Sequence, residues 1–170
     1  LRPDKSRIIG IYRVIMSLPH MSQLRKDKNM LPVDLFGEDA EFDHIGLVLD
    51  SIDALGSDFP RTSDPRQDVT VAFLEIHGIR IEAVAPNSEN SPVSRQAKAG
   101  QKLLHLCYRV RSLEKACEVA KRHGLFQISA PVPASAFEGR RIVWLYSKVF
   151  GLFELTEYPG SESLHIDEDS

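Results

Sequence analysis

The sequence predicts an α+β protein built from two βαβββ modules, the first of them shortened. Three observations carry this expectation. First, Phe42–Asp53 returns as Leu103–Glu114: His44 and His105, Ser51 and Ser112, Ile52 and Leu113, and Asp53 and Glu114 all lie 61 positions apart. Similarity at one fixed offset marks an internal repeat. Second, the match resumes further on. Val71-Ala72-Phe73-Leu74 pairs with Ile142-Val143-Trp144-Leu145 at an offset of 71, and Ile81-Glu82-Ala83 with Phe153-Glu154-Leu155 at 72. Third, most apolar residues alternate with period two, and one stretch alone has strong helical spacing. His44 to Val71 spans 27 residues and His105 to Ile142 spans 37, so the first module is ten shorter in its helix and the strand after it.

Residues 1–41 form an N-terminal extension. Arg7–Met16 suits a strand or a short helical turn, and Pro19 and Pro32 break up the remainder of the extension. Phe42–Leu49 alternates as a strand with His44, Gly46 and Val48 on one face. Asp50-Ser51 caps a short helix at Ile52, which Gly56 and Pro60 interrupt. Arg61–Asp68 is polar and reads as turns. Val69–Ile76 and Ile79–Ala85 are strands joined by the tight hairpin signal His77-Gly78. A modest helix comes next, near Pro92–Ala99. Leu103–Val110 is the second histidine strand, with His105, Cys107 and Arg109 on one face. Ser112 caps the best helix, Leu113–His123, whose Leu113, Ala116, Cys117 and Ala120 share a side, and Gly124 ends it. Phe126–Ala130 reads as a strand and Pro131–Gly139 as a loop. Arg140–Tyr146 and Phe150–Tyr158 complete the second module. The modules thus occupy about 42–86 and 103–158 of one domain, 42–158, and residues 159–170 are an acidic tail.

Of the 170 residues, 42% are hydrophobic and 26% charged, which suits one soluble globular domain. A net charge of −3 gives no footprint for nucleic acid. No apolar run is long enough to span a bilayer. Two cysteines, Cys107 and Cys117, without a CxxC pairing suit a reducing cytoplasm. The expected partner is therefore a small molecule, with neither nucleic acid nor membrane.

Each module carries a histidine on its first strand and a glutamate on its last. Two imidazoles and two carboxylates suit a divalent first-row metal such as Co, Ni, Zn, Mn or Fe. Glu82 in Ile81-Glu82-Ala83-Val84 and Glu154 in Phe153-Glu154-Leu155 sit among core residues, where a carboxylate is costly unless paired or metal-bound. For Glu82 two alternatives stand: it faces solvent on a one-sided sheet, or it pairs with Arg80 or Arg109. Arg140 and Arg141 open a strand beside a loop and are candidates to grip a substrate carboxylate or phosphate. Strand parity lets only one of them face inward. Cys107 shares the His105 face and is a candidate lining residue. Glu157 falls opposite Glu154.

These motifs resemble the vicinal oxygen chelate superfamily, which includes glyoxalase I, methylmalonyl-CoA epimerase, extradiol dioxygenases and bleomycin-resistance proteins. Within it, the epimerase branch is most similar. Asp43-His44-Ile45-Gly46 and Leu104-His105-Leu106-Cys107 look like its two histidine strands. Val71–Glu75 with Ile81-Glu82 and Ala85-Pro86 resembles its central hairpin, and Asn90-Ser91-Pro92-Val93 its Ser-Pro turn. Gly139-Arg140-Arg141 and Phe153-Glu154-Leu155 resemble its closing strands. The resemblance covers about 42–158. It implies a cupped mixed sheet around a divalent metal held by His44, Glu82, His105 and Glu154, with Glu154 also the catalytic acid-base. It implies an isomerase, epimerase or lyase acting through an enolate on a small carboxylate or acyl-CoA thioester, and by analogy a homodimer. Two other functions fit the same fold: a non-catalytic metabolite- or drug-binding protein, and an iron dioxygenase for which Glu82 is surplus. One departure stands out. Ala54–Pro60 lacks the family's aromatic pair and Leu-Gly, and none of Asp58, Asp64 or Asp68 matches the epimerase's second catalytic carboxylate in that region.

Overall fold

The computed structural model describes residues 33–159. The expectations for Arg7–Met16 and for most of the acidic tail lie outside the described residues. Nine strands form one sheet: β1 Glu41–Val48, β2 Thr62–Asp64, β3 Val69–Ile76, β4 Ile79–Pro86, β5 Leu103–Val110, β6 Phe126–Gln127, β7 Val132–Pro133, β8 Arg141–Ser147 and β9 Gly151–Glu157. Among the described residues two α-helices accompany them, α1 Ser94–Lys98 and α2 Leu113–Arg122. The order is β2-β3-β4-β1-β5-β9-β8-β6, with β7 also on β8. This is the expected α+β class with a mixed sheet, open at both edges among the described residues.

The two modules meet strand to strand. β1 lies parallel to β4 and β5 parallel to β9, and β1 and β5 pair antiparallel at the middle of the sheet. The first strand of each module is thus flanked by its own last strand and by the other module's first. His44 aligns with Cys107 and Gly46 with His105 across the seam. Residues 61 apart in sequence become neighbours because the strands run in opposite directions.

Strand parity then sorts the side chains. On β9, Phe153 and Leu155 turn to the outer face and pack against Leu113, Ala116 and Ala120 of α2, with Val143 and Leu145 of β8. Glu154 and Trp144, one position along, turn the other way. Burying one leucine such as Leu113 contributes about 2 kcal/mol. Phe36, upstream of β1, joins the same cluster and meets Phe153 edge-on at 5.2 Å. The outer cluster of the first module is smaller: Ile52 covers Ala72, Ala83 and Ala85. Alanines suit a helix that has shrunk to the 3-10 turn Ile52–Leu55.

The turn starts at Ile52 after Ser51 and stops at Gly56, as expected, and three other features differ from expectation. Arg61–Asp68, read as turns, contains β2, whose Thr62–Asp64 pairs with Val69–Val71. Its polar residues gave no alternation to detect. Phe126–Ala130 keeps only two strand residues, Phe126 and Gln127. The Pro131–Gly139 loop holds β7 and the 3-10 turn Ser135–Phe137. At the hairpin, His77 and Gly78 have φ of 49° and 81°, the left-handed pair a two-residue turn demands.

Candidate metal centre and its cavity

Four side chains converge at the seam. His44 comes from β1, Glu82 from β4, His105 from β5 and Glu154 from β9, and one donor atom of each lies within 4.8 Å of the others. All four are buried. His44 Nε2 is 3.4 Å from Glu82 Oε2 and 3.5 Å from Glu154 Oε2, and His105 Nε2 is 3.4 Å from both carboxylates. The two Nε2 atoms are 3.1 Å apart. Glu82 pairs with neither Arg80 nor Arg109; both arginines go instead to Asp43.

Those distances test whether a metal fits. Donor atoms about 2.1 Å from one ion, the bond length from zinc to imidazole nitrogen or carboxylate oxygen, lie roughly 3–4 Å from their neighbours, and the five separations above fall between 3.1 and 3.5 Å. The set of two nitrogens and two oxygens also suits Co, Ni, Mn or Fe. Glu154 Oε2 is buried and accepts no hydrogen bond among the described residues, an arrangement that is costly for a carboxylate oxygen left to itself. The residues present fit a divalent ion.

The histidine rings are held differently. His44 donates its Nδ1 proton to Asp43 Oδ1 at 2.8 Å, which leaves Nε2 toward the cluster. Its ring stacks on Phe137 at 5.8 Å and meets Phe73 edge-on at 5.6 Å. Burial disfavours its charged form. The hydrogen bonds to Asp43 and Glu82 and the charges of Glu82 and Glu154 outweigh that and raise its pKa to about 9. His105 is held by shape. It meets Trp144 edge-on at 4.9 Å, and its ring lies against Gly46, where a Cβ would come within 2.1 Å of Cε1. Only a residue with no side chain leaves room for this imidazole. His105 Nδ1 has no hydrogen-bond partner among the described residues.

A cavity of about 240 Å3 opens on one side of the cluster. Glu82, His105 and Glu154 form its polar end, and Val69, Val71, Val84, Leu104, Trp144 and Leu152 are among its apolar walls. Among the described residues no lysine or arginine lines it, and its only acids are Glu82 and Glu154. The remaining candidates from sequence do not line the cavity, although Cys107 lies beside His44 and Asp43 behind the cluster. Cys107 is fully buried. Burial, and then the charges of Glu154, Asp43 and Glu82, push its thiol pKa well up, so it stays protonated. Arg140 turns inward over Phe137 at 5.3 Å and donates to the Glu157 carbonyl at 2.8 Å. Arg141 turns outward to the Glu157 and Glu114 carboxylates. Strand parity had separated the two, and neither lines the cavity. Asp64 is buried and accepts the backbone N–H groups of Arg66, Gln67 and Ser135. Burial raises its pKa, but those bonds hold it below the ordinary carboxylate value.

Sequence reasoning missed Asp43, Gly46 and Phe137 as parts of the centre. Gly46 had one detectable sign, its place between two core positions of a histidine strand. Phe137 had none, because a lone aromatic in a loop carries no periodicity.

The comparisons with known proteins agree with this architecture. An ethylmalonyl-CoA/methylmalonyl-CoA epimerase from Cereibacter sphaeroides is 24% identical over 119 residues, covering 63% of this chain and 88% of the relative. A solved structure of a hypothetical protein from Bacillus halodurans is 30% identical with a TM-score of 0.60, covering 72% of this chain and 96% of that one. The Mycobacterium tuberculosis methylmalonyl-CoA epimerase shares the fold at 21% identity and a TM-score of 0.60, covering 78% of this chain and 95% of that one. Residues 43–144 match the Glyoxalase/Bleomycin resistance protein/Dioxygenase superfamily, and the chain belongs to it.

Proposed function

We propose that the protein is a metal-dependent isomerase or epimerase of the methylmalonyl-CoA epimerase type, moving a proton beside a carbonyl of a small carboxylate or acyl-CoA thioester. One observation carries this reading: two histidines and two glutamates, one of each from either module, converge, and three of the four, Glu82, His105 and Glu154, line the end of a largely apolar cavity. The epimerase relatives support the substrate class. His44, Glu82, His105 and Glu154 would hold the ion. When bound, the ion would act as a Lewis acid that stabilises negative charge developing on the substrate oxygen. The chain's own groups do the rest. Glu154 would hold the ion through Oε2, and its other carboxylate oxygen would take a proton from the α-carbon and return it. The valine and leucine walls exclude water, which strengthens charge interactions inside. Inversion needs acid-base groups on both faces of the carbon, and among the described residues Glu82 is the other acid of the cavity lining that would serve.

A second reading, a non-catalytic binding protein, draws on the same lining: among the described residues it offers no acid outside the four-residue cluster. Solvent-deuterium exchange separates the two. The cobalt-loaded protein is expected to exchange the α-proton of methylmalonyl-CoA or a related thioester, and His44→Ala with His105→Ala to abolish it. Exchange that survives the double substitution, or no exchange on any acyl thioester by a metal-loaded protein, would overturn the catalytic reading.

A further inference from the structure

The strand that carries His44 is not regular. In the β1–β5 ladder Phe42 aligns with Tyr108 and His44 with Cys107, so Asp43 is an extra residue with no partner on the facing strand. This is a β-bulge, which re-aims a side chain. In an even strand Asp43 would turn away from His44. Here both are buried, at 7% and 0% exposure, and Asp43 Oδ1 reaches His44 Nδ1 at 2.8 Å.

Asp43 is itself clamped. Arg80, from β4, donates Nη1–H to the same Oδ1 at 2.7 Å. Arg109, from β5, brings Nε to 3.1 Å from Oδ2 as an ion pair. The Arg80 guanidinium lies 4.1 Å over the Phe73 ring, which touches His44 in turn. Three adjacent strands therefore converge on one carboxylate. None of Asp43, Arg80 and Arg109 lines the cavity, and His44 does not either. The clamp acts from behind the cluster, on the side away from substrate. His105 has no equivalent among the described residues, since its Nδ1 is unpartnered there.

We propose that Asp43, fixed by Arg80 and Arg109, is a positioning residue that sets the tautomer and angle of His44 so that Nε2 faces the metal. The proposal rests on the metal-site reading. A carboxylate on the far nitrogen of a ligating imidazole orients the ring and raises its basicity, and losing one typically costs about 10–100-fold in metal affinity. The arginines do a separate job. They fix the Asp43 carboxylate from both flanking strands, with Oδ1 held at the outer nitrogen.

The test uses the full chain and Co(II). Trp144 is the sole tryptophan and lies 4.9 Å from His105, so quenching of its fluorescence reports binding. For Asp43→Ala, Co(II) affinity is expected to fall about 10–100-fold, with a smaller loss for Asp43→Asn, whose amide oxygen still accepts. The metal-free Tm is expected to fall as well, because the variant loses the bonds of Asp43 to His44, Arg80 and Arg109, so affinity is read well below that Tm. In the Zn(II)-loaded wild type, NMR is expected to show a protected downfield Nδ1 proton on His44 that Asp43→Ala loses. Wild-type affinity in Asp43→Ala, or a lowered metal-free Tm with unchanged affinity, would overturn the proposal. So would retention of that proton resonance. If the Asp43 variants do not fold, Arg80→Gln with Arg109→Gln gives the answer, as both arginines are part-exposed: affinity is expected to fall, and an unchanged value overturns the clamp. A wild type that takes up no Co(II) or Zn(II) sinks the metal reading itself, a failure distinct from a wild type that binds and a variant that binds equally well.

Discussion

His44 is where burial and charge pull against each other, and the balance has a sign that can be measured. Its folded pKa of about 9 stands above the ordinary 6.5. The stability it contributes to the metal-free protein is therefore fully present below pH 6.5 and lost as pH rises through about 9. The metal-free Tm is expected to fall across that window, by an amount worth up to about 3 kcal/mol; a flat Tm would show that His44 is not protonated there. Metal uptake has the opposite slope, because the ion displaces the His44 proton, so Co(II) affinity is expected to rise with pH over the same interval. Gly46 makes the second residue-scale prediction. Gly46→Ala puts a methyl into the His105 ring. Overpacking of this kind costs about 1–3 kcal/mol, and Co(II) affinity is expected to fall because the imidazole has to move. Unfolding and metal titrations read the two effects separately. At this scale the four side chains that converge were legible from sequence and their supports were not. Histidine and glutamate recurred in register, whereas Asp43 reaches the centre only because a bulge breaks the strand parity that sequence reasoning relies on.

Among the elements, the 3-10 turn Ser135–Phe137 does more than connect two strands. It delivers Phe137 to the His44 ring, and Asp64 of β2 holds its start by accepting the Ser135 N–H at 3.1 Å. Asp64→Ala leaves three backbone donors without their acceptor. The expected cost is at least about 2 kcal/mol, seen in chemical denaturation, with weakened metal binding as Phe137 loosens. An Asp64→Ala protein of wild-type stability would mean that water replaces the carboxylate. The long strands were legible because apolar alternation needs several residues to register; Val69–Ile76 falls where it was expected to the residue. β2, β7 and this turn were not, since each has two or three residues and is fixed by bonds to distant partners rather than by its own pattern. The helix at Ile52 was legible as a start, from Ser51, and its four-residue length is set by Gly56.

For the whole molecule, a ligand that binds only the folded chain stabilises it by mass action. Co(II) or Ni(II) at 100 times its Kd is expected to add about 2.7 kcal/mol, a rise in Tm of roughly 5–11 °C for a chain of this size. His44→Ala with His105→Ala is expected to abolish the rise in differential scanning fluorimetry, and a rise that persists would place the ion elsewhere. Among the described residues no helix is long and apolar enough to cross a membrane.

The seam between β1 and β5 has one more consequence. Two similar halves in one chain ordinarily supply a spare, and a spare is free to decay. Here each half contributes one imidazole and one carboxylate to the same few cubic ångströms, so neither is redundant. The first half has a four-residue turn where its twin has a ten-residue helix, yet it carries His44 and Gly46 on the strand that touches its twin and Glu82 on the strand beside that. The cluster is shared, and removing a side chain on either side of the seam is expected to weaken both.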